Sequence, residues 1–455
     1  MAKKTKYIYE KPMVTLHSPF SLGKHAGMVL DSMPFNEIDG FSVENLLEEY
    51  GSPLYVISEK ILRDRFREFR DAFISRYPNT MIAYSYKTNY LSAVCAILAQ
   101  EGAWAEVVSG FEYDIAEDLG IPGDRIIFNG PYKPLPDLSR AVNNGSIINV
   151  DSFNELYQLE EVARRSNKVV EIGLRVNMQL NCPTWDKFGF NYECGQVVDA
   201  CRKATDTGWL KVTGLHCHAG TYLADPNIYA NLINNLVTLG VSLENEFDIE
   251  IEFIDLGGGY ASPNTLHKHL MPGITTCPSY EQYADAVCNP LIKSLDKFVG
   301  NPRLILEPGR SIVDECMFLF TTVVSTKRSA TGSKVVIVDA GVNLLPTAFY
   351  FKHDISPVHS AGVSVEEATI CGPLCMQIDV LRQSMRLPPL QKGNMLVVKN
   401  TGAYNFSQSM QFIFPRPGIV LLNNGKSEYV KRPETTQDVR RLERVPRRLL
   451  TKKRK

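Results

Sequence analysis

The sequence predicts an α/β protein: a (β/α)8 barrel of the TIM type followed by a smaller, mostly antiparallel β domain. Three observations carry this. Short apolar runs alternate with helical patterns eight times between residues 42 and 310. Beyond Arg310 the long helical patterns stop, and segments rich in Val and Leu are separated by turns instead. The apolar runs also close on polar residues, which is where barrel enzymes keep their chemistry. At 455 residues, two domains are the natural division.

In chain order, Ser58 can cap a helix whose apolar positions Leu62, Phe66, Phe69 and Phe73 recur at helical spacing. Strands are then predicted at residues 81–86 (ending at Lys87), 104–108, 125–129, 147–151, 170–177, 211–218, 249–256 and 303–307. Helical patterns at residues 91–100, 153–165 and 280–298 lie between them. Strands alternating with helices argue a parallel sheet, and eight units argue a closed one; an open doubly wound sheet is the alternative. Residues 317–325, 334–339, 395–399 and 418–423 read as strands of the second domain. The expected divisions are 1–41, a segment partly joining the β domain; 42–310, the barrel; 311–430, the β domain; and 431–455, a basic helix and tail.

Composition excludes several classes. A hydrophobic share of 44%, a charged share of 22% and a net charge of -1 are those of a globular protein, not a disordered or fibrous one. No run of eighteen apolar residues occurs, so no membrane association is expected. The basic, polar start lacks the apolar core of an export signal, and a cytoplasmic location is expected. The ten cysteines show no disulfide framework and no metal-ligand spacing, so reduced thiols and no metal are expected. Residues 426–455 carry twelve Lys or Arg against four Asp or Glu. No aromatic residue follows Tyr429 to stack on bases, so no nucleic-acid partner is expected.

The chemistry lies at the strand ends. A lysine closing an apolar strand, Lys87, points into a barrel mouth, where desolvation favours its neutral, nucleophilic amine. Taken alone, Lys87 reads first as a lysine reaching solvent along its own stem. The later strands change the balance. The sixth closes on His216-Cys217-His218-Ala219-Gly220-Thr221, the seventh on Gly257, Gly258 and Gly259, and the eighth on Glu307-Pro308-Gly309-Arg310. Consecutive glycines let backbone N–H groups approach a phosphate, although tight loops use glycine too. Arg310 could grip the same anion. Together these are an amine for an aldehyde, a phosphate cradle, and a carboxylate (Glu307) for a pyridine nitrogen. His218 could stack on the ring; His216 reads as structural.

With these landmarks in this order, the chain resembles the fold-type III pyridoxal-phosphate decarboxylases, the diaminopimelate and ornithine decarboxylase group, over about residues 40–442. The resemblance implies pyridoxal 5'-phosphate as cofactor, held on Lys87 with His218 stacked on it. Its phosphate would be bound by Gly257, Gly258, Gly259, Gly309 and Arg310, with Thr221 at a hydroxyl position and Tyr404 of Gly402-Ala403-Tyr404 touching it. It implies Glu307 at the ring nitrogen and Cys375 of Gly372-Pro373-Leu374-Cys375 as proton donor, supplied by the partner subunit of a homodimer with shared sites. Residues 42–55 (SVENLLEEYGSPLY), Pro415-Arg416-Pro417 and residues 430–442 (VKRPETTQDVRRL) are similar to the diaminopimelate branch.

Departures concern the substrate. Met376 stands where the resemblance calls for a glutamate that binds a distal amino group. Residues 339–350 lack the arginine for a distal carboxylate, although Tyr350 keeps the family tyrosine. Residues 175–189 are also shorter than usual. Arg310, Tyr350, Met376 and Tyr404 are the expected substrate contacts. The implied activity is removal of an amino acid's α-carboxylate, as in the diaminopimelate branch, with a place in lysine biosynthesis. The alternatives are a modified or carrier-bound amino acid in specialised metabolism, or ornithine or lysine, for whose distal amine Met376 offers no acidic clamp. The Cys375 loop argues against a racemase. An intact Lys87 and phosphate loop argue against a non-catalytic partner-binding homologue.

Overall fold

The computed structural model describes residues 33–449 except 268, 331 and 360–364. The expectations for residues 1–32 and for the last six residues of the tail lie outside the described residues.

Leu54–Ser58 forms β1, and its last residue caps the helix Glu59–Ile74 by accepting the Ile61 N–H at 3.1 Å. That helix buries Leu62, Phe66, Phe69 and Phe73, the stripe that its sequence period predicts. Eight strands follow: β2 Thr80–Ser85, β3 Trp104–Val107, β4 Ile126–Phe128, β5 Ile147–Val150, β6 Val170–Asn177, β7 Leu210–His216, β8 Phe253–Asp255 and β9 Arg303–Leu306. Each pairs in parallel with the next, and β9 pairs with β2 through Leu304↔Thr80 and Leu306↔Ile82. The sheet is closed, so the open alternative is excluded.

The barrel floor is a small apolar cluster of Met81, Ala83, Ile127, Phe253 and Ile305. Two strand glycines make room inside. A Cβ at Gly214 would meet the Phe253 ring at 2.2 Å, and one at Gly173 would meet Asn149 Oδ1 at 2.1 Å. Above this floor the interior turns polar, which prepares the site.

The second domain is built on β10 Met317–Arg328, flanked by β11 Lys334–Val338, β12 Glu366–Cys371, β13 Val380–Leu387, β14 Met395–Val398, β15 Gly418–Asn423 and β16 Lys426–Lys431. Its main path runs β13-β12-β11-β10-β1-β15-β16, and β14 also pairs with β10. This corrects the expected barrel start at residue 42. β1 pairs antiparallel with β10 and parallel with β15, so the chain lays one strand in the β domain before entering the barrel. The helix Val43–Tyr50 packs there too, with Val43 and Leu46 in one cluster with Val56, Phe320 and Val420. A fully buried, mostly apolar strand suits either sheet, so its composition could not assign it.

The described part of the first segment joins the same domain: Phe35 donates its N–H to Pro357 O at 2.9 Å, and its ring stacks on Phe318. The basic end forms β16 and a capped helix, Thr436–Arg440, ahead of the undescribed residues. Among the described residues no helix is long and apolar enough to cross a membrane.

Candidate active site

The C-terminal ends of the barrel strands surround a cavity of about 370 Å³. Lys87, Glu106, Asn129, His216, His218, Thr221, Gly258, Gly259, Glu307, Gly309, Arg310 and Tyr404 all line it. Gly257 sits behind, accepting the Glu307 N–H at 2.9 Å.

Lys87 is not the last residue of its strand. β2 stops at Ser85, and Lys87 lies in the 3-10 turn Tyr86–Thr88, which carries its amine across to Glu106 on β3 at 2.5 Å. The expected neutral amine is also corrected. Burial pulls the Lys87 amine down, but the Glu106 and Glu307 carboxylates outweigh it and hold the amine above its ordinary value. With about a third of the side chain exposed, part of that field is screened. Glu106 itself is fully buried and also takes the Ser85 hydroxyl and the Asn129 amide, the latter at 3.1 Å.

The glycine loop is dictated by space. A Cβ on Gly258 would meet Glu307 O at 2.4 Å, and one on Gly259 would meet Gly220 O at 2.3 Å. Gly257 and Gly259 also have φ of +61° and +98°, a region that L side chains avoid. The Gly258 N–H donates to His218 Nδ1 at 2.9 Å, so a neutral His218 carries its proton on Nε2. Burial pushes the His218 imidazole well down, which keeps it neutral. Trp185 packs on this histidine at 5.2 Å between ring centres.

Arg310 begins the short helix Arg310–Val313 after β9. Its guanidinium lies between the rings of Phe351 and Tyr404, at 4.8 and 5.0 Å. Asp314 stands 3.6 Å from Arg310 Nη1 but spends its oxygens on Ser262, Asn264 and the Ala403 N–H. Arg310 Nε and Nη1 and Thr88 Oγ1 are buried without hydrogen-bond partners. Unpaired buried donors are costly, and both residues line the same cavity as Gly258 and Gly259. Tyr404, from the β domain, is brought in by its N–H to Thr88 O at 2.8 Å, with φ of +65°.

This set fits pyridoxal phosphate. The orphaned Arg310 and Thr88 donors and the glycine N–H groups could hold the phosphate, Lys87 the aldehyde carbon, and Glu307 the ring nitrogen.

Three expected substrate or catalytic residues are not brought here within one chain. Cys375 is exposed, Tyr350 is half exposed, and neither they nor Met376 line the cavity. Other residues were missed by sequence reasoning. Glu106, Asn129, Asn149 and Asp255 are buried at the ends of β3, β4, β5 and β8. Each breaks an apolar run at a strand's last turn, the same signal that singled out Glu307. Arg175 does the same near the end of β6, whereas Trp185 and Phe188 line the cavity and carry no such signal.

Comparison with known proteins agrees with this geometry. Residues 59–314 match the family described as pyridoxal-dependent decarboxylase, pyridoxal binding domain. The diaminopimelate decarboxylase of Methanocaldococcus jannaschii is 31% identical over 430 residues, covering 91% of this chain and 96% of that one. The enzyme of that name from Methanothermobacter thermautotrophicus is 32% identical over 431 residues, covering 91% and 96%. A crystal structure of the M. jannaschii diaminopimelate decarboxylase in complex with L-lysine superposes with a TM-score of 0.85 at 30% identity, covering 92% of this chain and 98% of that one. The chain therefore belongs to the pyridoxal-dependent decarboxylases, and it is an amino-acid decarboxylase whose cofactor is pyridoxal 5'-phosphate.

Proposed function

We propose that the chain decarboxylates meso-diaminopimelate in the cytoplasm as a step of lysine formation, with Lys87 as the residue that carries the cofactor. The observation behind the site assignment is the convergence of one amine, one glycine cradle and unpartnered Arg310 donors on a single cavity. The substrate follows from relatives of that name that align over nine tenths of both chains.

The bound cofactor supplies an electron-accepting ring for the electron pair that stays behind when the substrate's α-carboxylate leaves as CO2. The protein does the rest. Gly258, Gly259, Thr221, Arg310 and Tyr404 would bind and orient the phosphate, and His218 would pack on the cofactor ring. Lys87 would hold the cofactor's aldehyde carbon, and its Nζ can exchange a proton with Glu106, 2.5 Å away. Cys375 then delivers its Sγ proton to the α-carbon. Because Cys375 is exposed and away from the cavity of its own chain, we assign this step to Cys375 of the partner subunit in a homodimer with shared sites. Tyr350 and Met376 belong with it, at the substrate's far end.

A second substrate is favoured by specific observations. Met376 replaces an acidic clamp. Within one chain the cavity's carboxylates are engaged, Glu106 by Lys87 and Glu307 by Asn129 at 2.6 Å. Trp185 and Phe188 add apolar wall. An amino acid with a modified, neutral or carrier-bound end would need no charged clamp, and a buried unpaired charge costs several kcal/mol. The deciding experiment is mass spectrometry of products from cofactor-loaded enzyme given meso-diaminopimelate, ornithine, lysine or arginine. Lysine from diaminopimelate is the expected outcome. No product from any of the four, with cofactor bound, would overturn it in favour of the modified substrate.

A further inference from the structure

The base of the cavity holds more negative groups than it can leave ionised. Glu106, Asp255 and Glu307 are 0, 0 and 3% exposed. A single amide ladder joins them. Asn129 Nδ2 donates to Glu106 at 3.1 Å and to Glu307 at 2.6 Å. Asn149 Nδ2 donates to Asn129 Oδ1 at 2.9 Å and to Asp255 Oδ2 at 3.2 Å. Asp255 Oδ1 accepts the Gly257 N–H at 2.9 Å.

The cations in reach are already assigned. Lys87 pairs with Glu106, Arg175 with Asp151 at 3.4 Å, and Lys133 with Glu155 at 2.6 Å. His216 faces the pair from β7, with Nε2 3.7 Å from Glu307, and burial pushes its imidazole well down, so it adds no charge. Tyr260, packed from the glycine loop, is likewise held neutral, its phenol pushed up by burial. A carboxylate oxygen of Asp255, one of Glu307 and a ring nitrogen of His216 lie within 4.8 Å of one another. Two carboxylates that close and dry, with the nearest cation, Lys87, spent on Glu106, cannot both ionise. Burial raises both, and at Glu307 the Asp255 charge adds to it.

We propose that Asp255 and Glu307 act as one proton-sharing pair, in which Asp255 is a positioning residue that takes the pair's proton when Glu307 meets the protonated ring nitrogen of bound pyridoxal phosphate. The count balances. One proton stays on the pair throughout, moving from the Glu307 carboxyl to the Asp255 carboxyl, and the pair's single negative charge meets the single positive charge of the ring. Loading the cofactor then exchanges no proton between the pair and solvent. The inference rests on the assignment of Glu307 to the ring nitrogen.

The test is the dissociation constant of pyridoxal phosphate for the wild-type chain and for Asp255→Asn, measured against pH without substrate. Alone, a buried Glu307 must give its proton to solvent before it can meet the ring. The ratio of the two constants, variant over wild type, is therefore expected to fall as pH rises, by up to roughly tenfold per pH unit while Glu307 of the variant holds its proton and the wild-type pair holds one. The ratio cancels titration of the free cofactor and of Lys87. A ratio independent of pH would overturn the proposal, because an asparagine that merely loosened the fold would weaken binding equally at every pH.

Should Asp255→Asn not fold, or the chain not take up the cofactor, infrared difference spectra of the wild-type chain against Glu307→Gln and Glu112→Gln decide the pair. A buried protonated-carboxyl band at neutral pH that Glu307→Gln removes and Glu112→Gln keeps is expected, and its absence would refute the pair. Failure to bind the cofactor at all would refute the site assignment, a separate result.

Discussion

Substituting Gly258 by alanine tests whether the glycine loop is dictated by space. A Cβ there would lie 2.4 Å from the backbone oxygen of Glu307, about 1 Å inside an ordinary contact. That oxygen belongs to the end of a barrel strand and cannot swing away, so the cost belongs near the upper end of the ~1–3 kcal/mol range for overpacking. The shift also carries the Gly258 N–H away from His218 and displaces the loop whose N–H groups would hold the cofactor phosphate. One lost hydrogen bond to a charged acceptor is worth about 1.5–3 kcal/mol, or roughly 10–150-fold in the dissociation constant. Gly300 is the control. An alanine Cβ there would lie 2.3 Å from Glu250 Oε1, a slightly worse overlap on paper. But that atom ends a flexible, exposed side chain that can rotate out, so Gly300→Ala should change stability by no more than about 0.5 kcal/mol. The assay is thermal melting of both variants, with pyridoxal phosphate titrated by absorbance. Gly258→Ala should melt several degrees lower and bind far more weakly, while Gly300→Ala should match the wild type. Equal melting and equal cofactor affinity in the two variants would refute the reasoning.

Further outcomes are expected. Arg310→Lys should weaken cofactor binding at least tenfold (~1.4 kcal/mol), because a lysine has neither the planar fork nor the surface that fits between Phe351 and Tyr404; equilibrium titration checks this. Lys87→Ala and Cys375→Ala should each lack decarboxylase activity, yet mixing them should recover about a quarter of wild-type activity if the subunits share sites; no recovery under conditions of subunit exchange would defeat the sharing. Glu112 is buried, accepts the Val108 N–H, and has its carboxyl raised by burial and by Glu106 to about 7. In that range the folded chain holds a proton that the unfolded chain releases, so this group's contribution falls as pH rises from about 4.5 to 7, by an order of 3 kcal/mol at most. Glu112→Gln should flatten that decline in melting temperature, and an unchanged profile would refute it.

The number and order of the barrel strands were legible in the sequence, because a buried strand announces itself locally as an apolar run ending in a turn. So were Lys87, His218, Glu307 and Arg310, which interrupt such runs, and all four line the cavity. Limits appeared where the answer depends on residues far apart. The strand 249–256 shortened to Phe253–Asp255, because pairing with neighbours sets where a strand starts, not apolarity alone. β1 looked like part of the barrel but completes the other sheet, and only its partners 260 residues or more downstream distinguish the two.

The charge on Lys87 turned on Glu106, nineteen residues away in sequence and 2.5 Å away in space. The Asp255–Glu307 pair arises because β8 and β9 run side by side and end at the same level. Cys375 and Tyr350 are exposed and do not line the cavity of their own chain. Local pattern settles which segments bury a face and which residues break it, since both are read from a few neighbours. Charge state, proton sharing and the far side of the substrate pocket depend on distance through a low-dielectric interior, and folding alone sets those distances.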